Sequence, residues 1–246
     1  MSKTLAIFGF GPGLALGAAR RFGREGFRIA AIGRAPSASL IEELTAAGIT
    51  AEAFTADLTR EAELLRATHA ITDRFGRIDV AVHTAAADMS ARSASTLDID
   101  VDALRAPLEL KLYSPIWMTR ALAPAMIERG EGTLLYSSGL SEQHLQPYLA
   151  NFGVVMAAQR AYIRQLDAEL RGTGVHVGLL NVGVLIGGSK AQQIIDANPE
   201  LIPPGLEINR LSNDELAEQY WRMYTDRDRA ERDIGFDIEP DIAYAD

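Results

Sequence analysis

The chain has 246 residues, 48% of them hydrophobic, and a formal net charge of −9. That length supports one sizeable core, and the acidic balance argues against a nucleic-acid or anionic-membrane surface. There is no cysteine, which excludes disulfides and thiolate metal sites. The start is polar and then strand-like, unlike a signal peptide, and no apolar run reaches the roughly 18 residues of a membrane span. A cytoplasmic, metal-free protein is the expectation.

The pattern alternates strand and helix, which predicts a parallel sheet covered on both faces. Thr4 to Phe8 is an apolar run followed by Gly9-Phe10-Gly11-Pro12-Gly13, then by an Ala-rich helix to about Glu25. Gly9 permits a sharp exit from the strand, and Gly11 and Gly13 let backbone approach a ligand. The helix behind them turns its positive dipole end toward a phosphate. A glycine turn placed after the first strand of an α/β chain points to a dinucleotide site.

Phe27 to Ile32 reads as the second strand, ending at Gly33-Arg34, with a short helix from Ser39 to Ala47. Ile49 to Thr55 is the third strand, ending at Asp57-Leu58, and a helix from Arg60 to Phe75 follows. Asp79 to His83 is the fourth strand, and residues 84–97 form a small, polar loop. One long helix is expected from Val101 to Arg129, kinked at Pro107 or Pro115. Gly132 to Ser137 is the fifth strand, Ser138 to Gln146 a loop, and Tyr148 to Arg171 a second long helix. Val175 to Asn181 is the sixth strand.

Residues 183–210, rich in Gly and Pro, predict a mobile lid. Asp214 to Tyr224 is amphipathic, with Leu216, Tyr220, Trp221 and Tyr224 forming a core or subunit face. Asp226 to Asp233 reads as a solvated charged connection, and Ile234 to Ile238 as a last strand. No repeat or linker divides residues 1–246, so a single doubly wound, Rossmann-like α/β domain is expected.

In this order and spacing the chain resembles the short-chain dehydrogenase/reductase family over nearly its whole length. The glycine turn matches that family's Gly-x-x-x-Gly-x-Gly spacing at Gly9 and Gly13, with Ala15 in the third place. Asp57-Leu58 sits where the family flanks the adenine ring. Asp79 to Ala86 is similar to the segment usually ending Asn-Asn-Ala-Gly, of which Ala85 is kept. Pro124-Ala125-Met126, Ser137-Ser138 and Glu169-Leu170 match further family landmarks. The resemblance implies a nicotinamide dinucleotide held by Gly9, Gly11, Gly13, Leu14, Arg34, Asp57, Leu58, Ala85 and Gly183. It also implies a small-molecule substrate and a homo-oligomer, a dimer or tetramer.

A dehydrogenase that prefers NAD ends its second strand with an acid for the ribose 2′-hydroxyl. Gly33 occupies that place, and the guanidinium of Arg34 suits a 2′-phosphate, so NADP is expected over NAD. A solvated loop arginine is the plainer reading.

The family's chemistry uses a Tyr, a Lys four residues later on the same helical face, a Ser and an Asn. Ser138 matches the serine. Counting back from Glu169-Leu170 puts the tyrosine place at Phe152 and the lysine place at Met156. Counting back from Pro124 puts the asparagine place at Lys111. The only lysines are Lys3, Lys111 and Lys190, and none follows a tyrosine by four residues, so no shift of register restores the pair.

Three readings follow: an oxidoreductase with a substitute proton donor, an NADP(H)-binding protein with little or no turnover, or a scaffold. Lys111 and Tyr148 are the candidate substitutes, with His144 on the same loop; a salt-bridged helix lysine is the plainer reading of Lys111. The substrate would be a small carbonyl, alcohol or activated alkene. Its pocket would come from residues 84–97, 139–151 and 183–210, where no pattern names a molecule.

Overall fold

The first six strands are β1 (Thr4–Phe8), β2 (Arg28–Gly33), β3 (Ala51–Thr55), β4 (Val80–His83), β5 (Gly132–Gly139) and β6 (Val175–Val182). A computed structural model describes residues 2–86, 94–145, 147–201 and 209–235. Two short strands, β7 (Leu185–Ile186) and β8 (Arg210–Leu211), pair with each other, and β9 (Glu231–Ile234) joins the main sheet. That sheet has the order β3-β2-β1-β4-β5-β6-β9, with every pairing parallel. The chain therefore reverses its direction of travel across the sheet between β1 and β4. In such sheets ligands bind outside the strand carboxyl ends at that point.

The helices are α1 (Leu14–Arg24), α2 (Ala38–Ala46), α3 (Glu61–Phe75), α4 (Val101–Leu108), α5 (Ser114–Glu128), α6 (Ala150–Leu170), α7 (Lys190–Ala197) and α8 (Asn213–Asp226). They cover both faces, because alternate strand residues point opposite ways. Ala6, Phe8, Ile32, Leu134 and Val177 enter one core cluster, with Leu64 and Ile71 of α3 and Met118 of α5. Leu5, Ile7, Ile29, Val82 and Leu135 enter the other, with Phe22 of α1 and Leu216 and Tyr220 of α8. The predicted α8 face is thus core: Leu216 and Tyr220 are fully buried, and Trp221 and Tyr224 stack around Phe22 at 5.1 and 5.5 Å. Gly17 allows that packing, since a Cβ there would lie 2.2 Å from the carbonyl oxygen of Asn213.

Three expectations are corrected. The single helix over 101–129 is interrupted by a π-helical turn, Glu109–Tyr113, between α4 and α5. Pro115 explains the place, because it has no N–H and its ring crowds the carbonyl four residues back, that of Lys111. In the widened turn the N–H of Ser114 reaches the carbonyl of Glu109 instead.

The second correction concerns the charged stretch before Ile234: residues 227–230 do connect, but Glu231 to Asp233 belong with Ile234 to edge strand β9, registered Leu179↔Glu231 to Val182↔Ile234. Its charges have partners: Arg160 of α6 pairs with Glu231 at 2.8 Å, and Asn181 donates to Asp233 at 2.7 Å. Expected strand residues 236–238 lie outside the described residues. Third, β5 continues through Ser138 and Gly139, which remain in register with Asn181 and Val182 of β6.

Candidate functional site

The carboxyl ends of β1, β2 and β3 build one half of the site. Gly9 leaves β1 with φ +102°, and a Cβ on it would lie 2.4 Å from the backbone nitrogen of Ala85. Its carbonyl accepts from the Thr84 hydroxyl at 3.0 Å, and its N–H donates to the Ile32 carbonyl at 3.0 Å. The turn is thereby clamped between β2 and the end of β4. Gly9→Ala should destabilise the fold by about 3 kcal/mol, from a strained φ and an overpacked contact. In thermal unfolding this appears as a fall of roughly 6–12 °C for a chain of this size. An unchanged midpoint would show that the turn can draw away from Ala85.

Beyond Gly9 the turn opens. A Cβ on Gly11 would meet nothing within 4 Å among the described residues, whereas one on Gly13 would approach Ser189 at 3.1 Å. The 183–210 segment thus carries β7, α7 and β8 and backs the turn, and Asn213 donates to the Pro12 carbonyl at 3.1 Å. Among the described residues no side chain caps α1, and its first turn holds no acid, which leaves that helix end suited to an anion. Leu14 faces the core.

Arg34 is exposed just past Gly33, where a Cβ would meet only the Phe10 backbone among the described residues, its carbonyl oxygen at 3.7 Å and its nitrogen at 3.9 Å. Asp57 lies within electrostatic reach of it. Burial pulls the Asp57 carboxyl upward, but bonds from the Thr59 N–H and hydroxyl, helped by Arg34 and Arg60, hold it below its usual value. Leu58 and Ala85 are buried, and Gly183 closes β6, its N–H bonded to the Ile234 carbonyl at 2.8 Å.

The other half surrounds the end of β5. Ser138 is buried, and its hydroxyl has no hydrogen-bond partner among the described residues. One residue back, the Ser137 carbonyl receives two donors: Lys111 Nζ at 2.9 Å from the π-helical turn, and Gln159 Nε2 at 3.3 Å from α6. Ser137 Oγ donates to the His83 carbonyl at 3.2 Å, and His83 Nε2 shares a 2.9 Å bond with Ser114 Oγ. The π-helical turn is therefore tethered to β5, and the first residue of α5 directly after it to β4. Burial lowers the Lys111 amine to about 8. Burial, with the Lys111 charge nearby, lowers His83 to about 3, so the imidazole is neutral.

Phe152 is buried in the first turn of α6. The Met156 thioether accepts from Ser141 Oγ at 3.1 Å and lies against Gly139, where a Cβ would come within 2.9 Å of it. The fold thus brings Ser138, Lys111 and Met156 to one strand end. Tyr148 stands apart, 42% exposed in the turn Pro147–Leu149 that leads into α6. Among the described residues no His/Cys/Asp/Glu group could hold a metal, and no helix is long and apolar enough to cross a membrane.

Sequence reasoning missed Gln159. Past its first turn the buried stripe of α6 runs Val155, Gln159, Ile163, Leu166, Leu170, and Gln159 is its one polar member; Asn151 is a second buried amide in the first turn. A lone amide on an apolar helical stripe was the available signal.

Comparison with known proteins bears on this geometry. A family model described as short chain dehydrogenase matches residues 3–195. Dehydrogenase/reductase SDR family member 7B of Danio rerio is 29% identical over 189 residues, covering 74% of this chain. The chain spans only 60% of that relative's length. The 1-deoxy-11-beta-hydroxypentalenate dehydrogenase of Streptomyces exfoliatus is 28% identical over 185 residues, 74% of this chain and 67% of its own. Among solved structures, an actinorhodin polyketide ketoreductase variant with NADPH superposes with a TM-score of 0.83 at 19% identity, covering 95% of this chain and 96% of its own. A short-chain type dehydrogenase/reductase from Mycobacterium ulcerans gives 0.79 at 20% identity, covering 95% and 89%.

Proposed function

We propose, from the premise that the chain belongs to the short-chain dehydrogenase family, that it is an NADP(H)-dependent oxidoreductase with an altered proton-transfer site. Its substrate is a small carbonyl, alcohol or activated alkene. The observation that carries this reading is the end of β5, where the buried hydroxyl of Ser138 has no partner among the described residues and the carbonyl of the preceding Ser137 holds the buried amine of Lys111.

The residues fit a dinucleotide. The Gly11 position is open, the α1 terminus is uncapped, and Gly33 leaves space beside Arg34. Gly9, Gly11, Gly13 and Leu14 would hold the phosphates, and Arg34 the 2′-phosphate. Asp57 and Leu58 would flank the adenine, with Ala85 and Gly183 toward the nicotinamide. A bound nicotinamide supplies or takes up the hydride. Ser138 then donates a hydrogen bond to the substrate oxygen and stabilises the charge that grows there. Lys111, poised near neutrality, holds the proton that a reduced oxygen requires. Tyr148 is the second candidate donor.

A second reading, nucleotide binding with little turnover, is favoured by Phe152 and Met156, which have neither a proton nor a charge to offer. A panel of ketones, aldehydes and enones with NADPH separates the two. Turnover supports the first, and undiminished NADPH binding without turnover on any of them supports the second. Arg34→Ala should weaken NADPH binding about tenfold and leave NADH binding unchanged, as the loss of one exposed charge-assisted contact requires. NADPH fluorescence titration measures both. An equal effect on the two nucleotides would remove Arg34 from phosphate recognition.

A further inference from the structure

Two adjacent serines near the end of β5 have opposite fates. Ser137 is tied down: its hydroxyl donates to the His83 carbonyl at 3.2 Å, and its own carbonyl accepts from Lys111 and Gln159. Ser138 is the last residue of β5 but one, at the edge where ligands of such sheets bind. It is 6% exposed, and its hydroxyl has no partner among the described residues, so the fold does not use it as a tether.

Lys111 is the complementary half. Its amine is buried, held by the carbonyl that directly precedes Ser138, and among the described residues no carboxylate pairs with it. The groups facing it carry no charge: Ser137 of β5, Gln159 of α6 on the same carbonyl, and the neutral imidazole of His83 on β4. An ion-paired lysine is locked as a cation. One buried without a carboxylate gives up its proton more easily, here at about 8. Lys111 can also leave its acceptor at little cost, because the Gln159 amide still serves the Ser137 carbonyl.

A hydroxyl with no structural duty, one residue from the acceptor of an unpaired buried amine, suits a serine nucleophile with a lysine base. The geometry points to a second activity that needs no nucleotide: transfer of a small acyl group from an ester to Ser138 and then to water, with Lys111 as the base. The Ser138 oxygen attacks the ester carbonyl as its proton passes to the neutral amine. The bond from the acyl carbon to the alcohol oxygen breaks, and Lys111 returns the proton to the departing alkoxide. Water, deprotonated by the same amine, then attacks the acyl-serine. The acid leaves, and Ser138 recovers its proton from Lys111. This activity uses two residues of the oxidoreductase reading but stands or falls separately from it.

The test is p-nitrophenyl acetate with the full chain and no nucleotide. An acetyl ester should accumulate on Ser138, located by peptide mass spectrometry and removed by hydroxylamine. Ser138→Ala should abolish it and fold like the unaltered chain, since that hydroxyl bonds nothing among the described residues. Lys111→Met should slow acetylation about 10²-fold. The acetylation rate should rise with pH through about 8, opposite to ketone reduction, in which the same amine is the acid. No adduct, a hydroxylamine-stable acetyl group on Lys111, or undiminished labelling in Lys111→Met overturns the proposal. An ester on Ser138 in a chain that fails to bind NADPH upholds it and defeats the oxidoreductase reading. Ketone reduction without an adduct does the reverse.

Discussion

Lys111→Met is expected to make the protein more stable and, on the oxidoreductase reading, to slow its turnover. The amine titrates near 8 in the folded chain against an ordinary value of 10.5, because burial disfavours its charged form. Between those values the unfolded chain binds the proton and the folded chain does not. Stability of the unaltered protein therefore rises with pH from about 8 to 10.5, and the full penalty is present below 8. The penalty amounts to about 3 kcal/mol. The variant escapes it and gives up one hydrogen bond to the Ser137 carbonyl, worth about 1 kcal/mol, an acceptor that Gln159 still serves. A net gain of about 2 kcal/mol at pH 6, fading by pH 10.5, should appear in thermal unfolding across that range.

Turnover should fall about 10²-fold, the scale of a lost general acid, and carbonyl reduction by the unaltered chain should decline above a pH of about 8. Stability gained and rate lost at one position is the mark of a residue kept for function. A variant less stable at pH 6, or one with full turnover, would return Lys111 to a structural role.

Phe152→Tyr with Met156→Lys is expected to raise carbonyl reduction by about 10²–10⁴-fold. The two positions are one helical turn apart on the same face of α6, beside the strand end that carries Ser138. The Met156 side chain already extends to Ser141 Oγ and Gly139, so an amine on a stem of similar length has a hydroxyl to donate to. Its charge would lower the pKa of the introduced phenol. Phe152→Tyr alone should therefore gain much less, since the phenol would stay near its ordinary value of about 10. Steady-state rates at saturating NADPH decide it. No gain in the double variant, with NADPH binding intact, would mean that Ser138 is not directed at a substrate oxygen.

The α/β architecture was legible from periodicity alone. Ile7, Ile29 and Val82 sit in strands apolar on both faces, as a parallel sheet between two helical layers demands. Gly9 was legible for a different reason: a strand that ends in a glycine-dense turn before an Ala-rich helix leaves few other conformations. The candidate site was legible in part. The identities of Phe152 and Met156 follow from counting, but Gln159 lay hidden because a polar residue on a buried stripe gains its meaning from the Ser137 carbonyl of a distant strand.

β9 escaped for the same reason. Glu231, Arg232 and Asp233 look solvated until Arg160 and Asn181 stand opposite them. By itself the amino-acid sequence determined the sheet, the glycine turn, and the absence of any tyrosine followed four residues later by lysine. Only the tertiary structure decided that Lys111 is buried against Ser137 and that Ser138 has no partner among the described residues. Backbone conformation is a local matter of sterics and periodicity, whereas burial, titration and hydrogen-bond partnership depend on residues brought close by the fold.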